Sequence, residues 1–77
     1  YQAYNNMGIV SLKKTDYEKS IEYFGKALEI QNKSGEVYLN RGLAWENLGK
    51  FEKACRDWTM ALELGMDEAN EYLKDCE

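Results

Sequence analysis

Apolar side chains recur along the chain at intervals of three and four residues, the spacing of helices with one buried face. The helical stretches cover residues 2–14, Asp16 to Ile30, 36–48, 51–64 and 68–76. The polar breaks between them are short, which favours antiparallel neighbours. The pattern therefore predicts an all-α chain of about five helices, arranged as helix-turn-helix units.

Polar residues stand close to the expected starts of three of these helices. Thr15, followed by Glu18, has the form of a capping box, in which both side chains satisfy exposed amides. Ser34 and Asp67 precede the third and the fifth helix, where a side-chain oxygen can accept a hydrogen bond from a first-turn amide. The sequence therefore predicts side-chain caps at Thr15, Ser34 and Asp67.

The chain repeats itself with a period of 34 residues. The shift superimposes seven pairs: Tyr4 and Tyr38, Gly8 and Gly42, Tyr17 and Phe51, Phe24 and Trp58, Ala27 and Ala61, Leu28 and Leu62, and Ile30 and Leu64. A period of this length is typical of stacked helical repeats, in which each unit buries its apolar face against the next. A glycine inside a helix costs about 1 kcal/mol relative to alanine, so its recurrence at one repeat position indicates close helix packing.

These residues resemble the tetratricopeptide repeat, a helix-turn-helix unit of about 34 residues. Repeat one, residues 1–34, fits the family pattern at Tyr4, Met7, Gly8, Ser20, Phe24 and Ala27 and departs from it at Ser11 and Asn32. Repeat two, residues 35–68, fits at Tyr38, Gly42, Trp45, Ala54, Trp58 and Ala61 and departs at Arg41 and Met66. Residues 67–77 are expected to form a capping helix, so that residues 1–77 make one domain, a fragment of a longer protein. The last part of the chain, from Ala54 to Cys76, is similar to the closing repeats of bacterial members of the family.

The resemblance implies a binding groove, because the first helices of successive tetratricopeptide repeats line the concave side of the stack. The candidate partner-binding residues at these positions are Asn5, Asn6, Ile9, Leu39, Asn40, Leu43, Asn47 and Lys74. Amides can hydrogen-bond an extended peptide backbone, and the three apolar residues offer contact area. The implied function is a protein–protein interaction module that takes a peptide or a partner helix. The alternative for the asparagines is an ordinary solvated surface.

Some tetratricopeptide-repeat domains hold the C-terminal carboxylate of a chaperone in a clamp of lysine, asparagine and arginine side chains. The chain resembles that clamp at Asn40 and, in charge only, at Lys74, whereas Asn5, Ile9 and Asn70 differ from it. A clamp without most of its cations loses most of its attraction for a carboxylate. The sequence therefore does not predict binding of a chaperone tail.

The residue types argue against catalysis and against several classes of ligand. The chain has no histidine, and its two cysteines stand 21 positions apart, a spacing that fits no zinc site. The net charge is -4, with equal numbers of acidic and basic residues over 1–66 and the acidic excess at 67–77. An acidic chain without a basic cluster cannot neutralise phosphates, and no apolar run is long enough to cross a bilayer. We therefore predict no enzyme activity, no metal or cofactor, no nucleic-acid binding and no membrane insertion.

Cys55 and Cys76 lie equally far in sequence from the predicted turn at residues 65 and 66. Antiparallel helices on the two sides of this turn would bring the cysteines level with each other. A disulfide needs Cα atoms within about 7 Å, which packed helices reach only at inward-facing positions. Two alternatives stay open: a disulfide in a periplasmic or secreted protein, or two free thiols in a cytoplasmic one.

The N-terminal flank, around Ala3, Met7 and Val10, has no covering helix in this chain. A stacked repeat leaves an apolar face bare wherever its neighbour is missing. An alternative function is therefore a structural fragment that stacks through this flank on upstream repeats or on another copy, as a homodimer.

Overall fold

The computed structural model describes residues 1–76, and within this range the chain forms five helices and no strand. The helices are α1 (Gln2–Lys13), α2 (Tyr17–Ile30), α3 (Gly35–Asn47), α4 (Phe51–Glu63) and α5 (Ala69–Leu73). The bounds of the first four agree with the periodicity to about one residue. The predicted all-α class and its helix-turn-helix repeats are confirmed.

The helices stack in chain order. Each helix packs against the next one along the chain, and α1 also contacts α3. α1 with α2 and α3 with α4 make the hairpins, and α5 lies against α4. The stack measures 31 × 24 × 16 Å, and its radius of gyration of 11.1 Å is that of a compact chain of this length.

The same close contact holds each hairpin together. A Cβ atom on Gly8 would stand 2.5 Å from Cε1 of Phe24, and one on Gly42 would stand 2.6 Å from Cδ1 of Trp58. Both distances are well inside van der Waals contact, so only glycine lets the aromatic ring lie on the opposing helix. In the first hairpin the Ser20 hydroxyl also donates to the Gly8 carbonyl at 2.7 Å. The structure thus explains why glycine recurs at this repeat position.

The interior consists of one buried cluster around Phe24 and another around Trp58. These rings are 0% and 1% exposed, respectively. Tyr38 of α3 packs against both clusters, so the apolar interior continues from one hairpin into the next. Burial of a large apolar side chain is worth about 1.5–3 kcal/mol, and the two rings are therefore main contributors to stability.

The residue that caps α2 is Asp16, and the predicted cap at Thr15 is wrong. The Asp16 carboxylate accepts a hydrogen bond from the Lys19 amide at 3.3 Å. Thr15 has a φ of 64°, in the left-handed region, whereas a capping residue needs an extended backbone. The predicted cap at Ser34 is confirmed, because its hydroxyl accepts a hydrogen bond from the Val37 amide at 3.4 Å.

We expect Thr15→Gly to raise the free energy of unfolding by about 1 kcal/mol. The left-handed conformation costs a residue with a side chain about 1–2 kcal/mol, and the greater freedom of glycine in the unfolded chain offsets part of this gain. The equivalent residue of the second hairpin is Gly49, with a φ of 79°. Urea denaturation measures the change. Gly49→Thr is the matched control, and its free energy of unfolding should fall by a similar amount. A Thr15→Gly protein no more stable than its parent would show that the backbone at this turn carries no strain.

α5 is shorter than the sequence predicts, since it covers Ala69–Leu73 and not 68–76. Residues 67 and 68 form a turn ahead of it. Glu68, the residue at the capping position before Ala69, makes no side-chain capping hydrogen bond within the described range. The predicted cap at Asp67 is therefore wrong. The predicted end of this element at Glu77 lies outside the described residues.

Candidate functional site

The candidate groove residues lie on helices that the fold places side by side. α1 carries Asn5, Asn6 and Ile9, α3 carries Leu39, Asn40, Leu43 and Asn47, and Lys74 directly follows α5. α1 and α3 are in contact, and a hydrogen bond between the Asn5 Nδ2 and the Glu36 Oε2, 3.3 Å apart, joins them. We call the surface of these two helices that carries Asn6, Ile9, Asn40 and Leu43 the groove wall.

Asn5 belongs to the interior and not to the accessible surface. Its side chain is 1% exposed, because it lies at the contact of α1 with α3. Its Oδ1 is buried and has no hydrogen-bond partner within residues 1–76. The expectation that Asn5 offers its amide to a partner is therefore not met in this structure.

The three apolar candidates lie between the groove wall and the buried clusters. Leu39 is 8% exposed and belongs to the Trp58 cluster, so little of it can be reached from outside. Leu43 is half-buried against the same cluster, and Ile9 is half-buried against the Phe24 cluster. Ile9 and Leu43 thus offer partial apolar surface, held in place from beneath.

The polar candidates differ in how much of their hydrogen-bonding capacity is free. Asn6 is exposed and Asn40 half-buried. The Asn47 Nδ2 donates to the Leu43 carbonyl of its own helix at 2.8 Å, so one of its donors is occupied. The Lys74 ammonium lies 3.4 Å from a Glu71 carboxylate oxygen in an exposed pair. The amides of Asn6 and Asn40 are therefore the main polar groups of the groove wall.

An ion pair inside the second hairpin is a feature that the sequence analysis missed. The Arg41 Nε and Nη2 donate to the two carboxylate oxygens of Asp57 at 2.8 and 2.9 Å. The side chains of Arg41 and Asp57 are 25% and 7% exposed, respectively. The hydrogen bond to Asp57 raises the pKa of Arg41 above its usual range, although burial opposes the shift. The sequence analysis identified Arg41 as a departure from the repeat pattern. It did not identify Asp57 as the acidic residue that pairs with it.

Cys55 and Cys76 are joined in the structure as a disulfide, with their Cα atoms 5.8 Å apart. The bond ties α4 to the segment after α5. Next to it, the ring of Tyr72 stacks on that of Trp58 with 5.0 Å between centroids. No cysteine within residues 1–76 is free.

The exposed N-terminal flank contains a cavity of about 290 Å³ lined by Asn6, Met7, Val10, Ser11 and Tyr23. Met7 is 43% and Val10 51% exposed. Ala44, the residue of the second hairpin that corresponds to Val10, is 0% exposed. The flank of the second hairpin is therefore covered where that of the first is bare.

The described part of the chain contains no group of three or more cysteine or acidic side chains placed to hold a metal ion. Within residues 1–76, each helix falls short of the length and apolar character that crossing a membrane requires.

Comparison with known proteins places residues 1–34 on the family model of the tetratricopeptide repeat. Hsp70-Hsp90 organizing protein 1 of Glycine max is 32% identical over 65 residues, 84% of this chain and 11% of the relative. Sperm-associated antigen 1 of Mus musculus is 33% identical over 64 residues, 83% of the chain and 7% of the relative. A UDP-N-acetylglucosamine–peptide N-acetylglucosaminyltransferase of Giardia intestinalis is 26% identical over 72 residues, 94% of the chain and 5% of the relative.

The chain thus spans between 5% and 11% of the length of these curated relatives. None of the three organisms is bacterial, so the expected likeness to closing repeats of bacterial proteins gains no support from them. The match over residues 1–34, together with these relatives, supports the tetratricopeptide-repeat family for this chain.

Proposed function

We propose that the chain is a protein-binding module that receives an extended peptide or a partner helix against the groove wall. Two findings support a protein partner: the repeat matched by residues 1–34, and a relative that is named for organizing Hsp70 and Hsp90. The observation that carries the proposal is the arrangement of two available amides, on Asn6 and Asn40, beside the half-buried Ile9 and Leu43.

This arrangement suits the backbone of a peptide better than a charged terminus. An asparagine amide both donates and accepts hydrogen bonds, so it can pair with a peptide group whatever the neighbouring side chains are. A terminal carboxylate needs several cations, and Lys74 is the one cation among the candidate residues. We therefore expect the partner to present an internal segment and not its C-terminus.

A non-catalytic role accords with the same findings. The family match and the organizing-protein relative point to an interaction module. The relative named as a glycosyltransferase is matched over only 5% of its length, so its activity carries no argument for this chain. The acidic net charge argues against nucleic acid as the ligand.

Peptides selected from a random display library against the chain provide the test. We expect Asn6→Ala/Asn40→Ala to raise the dissociation constant of a selected peptide by about tenfold or more, because each hydrogen bond is worth about 1 kcal/mol. Isothermal titration calorimetry measures the affinity, and circular dichroism verifies that the variant is folded. The matched control is Lys26→Ala/Glu29→Ala, two exposed residues of α2. Peptides that bind the groove variant as tightly as the parent would exclude the groove wall.

A second candidate function rests on the bare N-terminal flank. The exposed Met7 and Val10 border a cavity of about 290 Å³, so this flank can pack against another copy or against upstream repeats. If the chain self-associates there, sedimentation at increasing concentration will detect a dimer that Met7→Lys abolishes. A monomer at all concentrations would remove the homodimer from consideration.

A further inference from the structure

α5 corresponds in sequence to the start of the first helix of a repeat, but the helix ends at Leu73. The 34-residue shift places Tyr72 on Tyr38 and Leu73 on Leu39, so α5 lies in the register of the first turns of α3. α3 continues for 13 residues, whereas α5 has five. Helices shorter than about 12–15 residues are marginal in water without support. α5 therefore depends on what attaches it to α4.

The disulfide supplies the attachment at the place where a longer helix would continue. The 34-residue shift sets Cys76 on Gly42 of α3 and Cys55 on Ile21 of α2. At this position α3 continues as a helix that packs along α2. The chain after α5 is not helical there, and one covalent bond, with Cα atoms 5.8 Å apart, holds it to α4. The bond thus takes the place of the contacts that a helix as long as α3 would make with α4.

α5 covers a face that would otherwise be apolar and open. Trp58 is 1% exposed and Ala61 0% exposed, and both belong to the cluster against which Ala69 and Tyr72 pack. In the first hairpin the corresponding face, around Phe24, joins the cluster that includes Val37 of α3. Displacement of α5 would bare the flank of α4 while leaving both hairpins complete.

Apart from the disulfide and the packing of Ala69 and Tyr72, the segment that contains α5 has little to hold it closed. Asp67, Glu68, Glu71 and Asp75 are all exposed and repel one another. Their one cation, Lys74, pairs with Glu71 through side chains that are 69% and 77% exposed, and such surface pairs contribute little. Cys55 and Cys76 are only half-buried, so a reagent in solution can reach the bond. The closed position is therefore sensitive to the state of this bond.

We propose that the Cys55–Cys76 disulfide is a redox-operated latch, by which a dithiol reductant releases α5 from α4 and a small-molecule disulfide, reduced in the reverse exchange, closes it again. One thiolate of the reductant attacks a sulfur of the disulfide, forms a mixed disulfide and displaces the other cysteine as a thiolate. The second thiol of the reductant then closes its own disulfide and frees the first cysteine. The protein gains two thiols, and the dithiol is oxidised by the same two electrons. This latch acts on the C-terminal flank, and the proposal does not rest on binding at the groove wall.

Hydrogen exchange of the wild-type chain with and without dithiothreitol tests the latch, with the thiol count verified by mass spectrometry. We expect reduction to speed amide exchange in residues 69–73 by about tenfold or more while α1 and α2 keep their protection. The tryptophan fluorescence, to which Trp45 also contributes, should shift to the red as the Trp58 ring meets water, and a small-molecule disulfide should restore both signals. Cys55→Ser/Cys76→Ser should behave as the reduced chain and ignore the reductant.

Three results would overturn the proposal. The first is two reactive thiols in the oxidised protein, which would mean that the bond does not form. The second is unchanged protection of residues 69–73 after complete reduction, which would show that packing alone holds α5. The third is a simultaneous loss of protection in α1 and α2, which would make the disulfide a staple of the whole fold and not a latch.

Discussion

Gly42→Ala is expected to lower the free energy of unfolding by about 2 kcal/mol, although alanine favours helix more than glycine does. The new methyl carbon would stand 2.6 Å from Cδ1 of Trp58, a ring that is 1% exposed. Overpacking of a filled core costs about 1–3 kcal/mol and sometimes more, whereas the gain in helix propensity is about 1 kcal/mol. The close contact therefore outweighs the gain in helix propensity, and the variant should be less stable than the parent. Urea denaturation measures the change in the free energy of unfolding, provided that its dependence on urea concentration is the same in both proteins.

Gly25→Ala is the matched control for this prediction. Gly25 lies inside α2, and a Cβ atom there would have no neighbour within 4 Å. The propensity gain then acts alone, so Gly25→Ala should raise the free energy of unfolding by about 0.5–1 kcal/mol. Gly8→Ala should follow Gly42→Ala, because its Cβ would stand 2.5 Å from Cε1 of Phe24. Equal effects at Gly25 and Gly42 would contradict the role assigned to the ring contact.

The fold was predictable because its determinants lie close together in sequence. Apolar spacing within each helix and the short breaks between helices are enough to give the five elements and their order. The 34-residue period gives the equivalence of the hairpins and the close helix packing at Gly8 and Gly42, although not the rings that they contact. The length of α5 was not predictable in this way, since its apolar spacing continues to residue 76 while the helix stops at Leu73.

The candidate site was less predictable, because position within a repeat tells which face of a helix a residue occupies but not what stands opposite. Asn5 is on the expected face, yet the contact of α1 with α3 buries it. Asn6, one residue further along, stays exposed. The pairing of Arg41 with Asp57 also depends on two helices, and neither residue alone signals it. Pairwise contacts between helices are thus the part that the sequence pattern leaves undetermined.

The ion pair of the second hairpin is the feature whose disruption we expect to cost most. Arg41→Met should lower the free energy of unfolding by about 2–4 kcal/mol, because it leaves the Asp57 carboxylate, 7% exposed, without its partner. Asp57→Ala should cost less, since the Arg41 side chain is 25% exposed and can turn its charge to water. Denaturation of the two single variants under the same conditions gives the comparison.

The first hairpin supplies a matched replacement for the pair, because Met7 and Tyr23 occupy the positions of Arg41 and Asp57. Arg41→Met/Asp57→Tyr removes both charges, and a cavity of about 210 Å³ beside them leaves room for the larger ring. Apolar replacements of buried ion pairs are often neutral, so we expect the double variant to recover to within about 1 kcal/mol of the parent. A double variant as unstable as Arg41→Met would show that the loss comes from packing of the arginine stem, and would contradict the unpaired carboxylate as its cause.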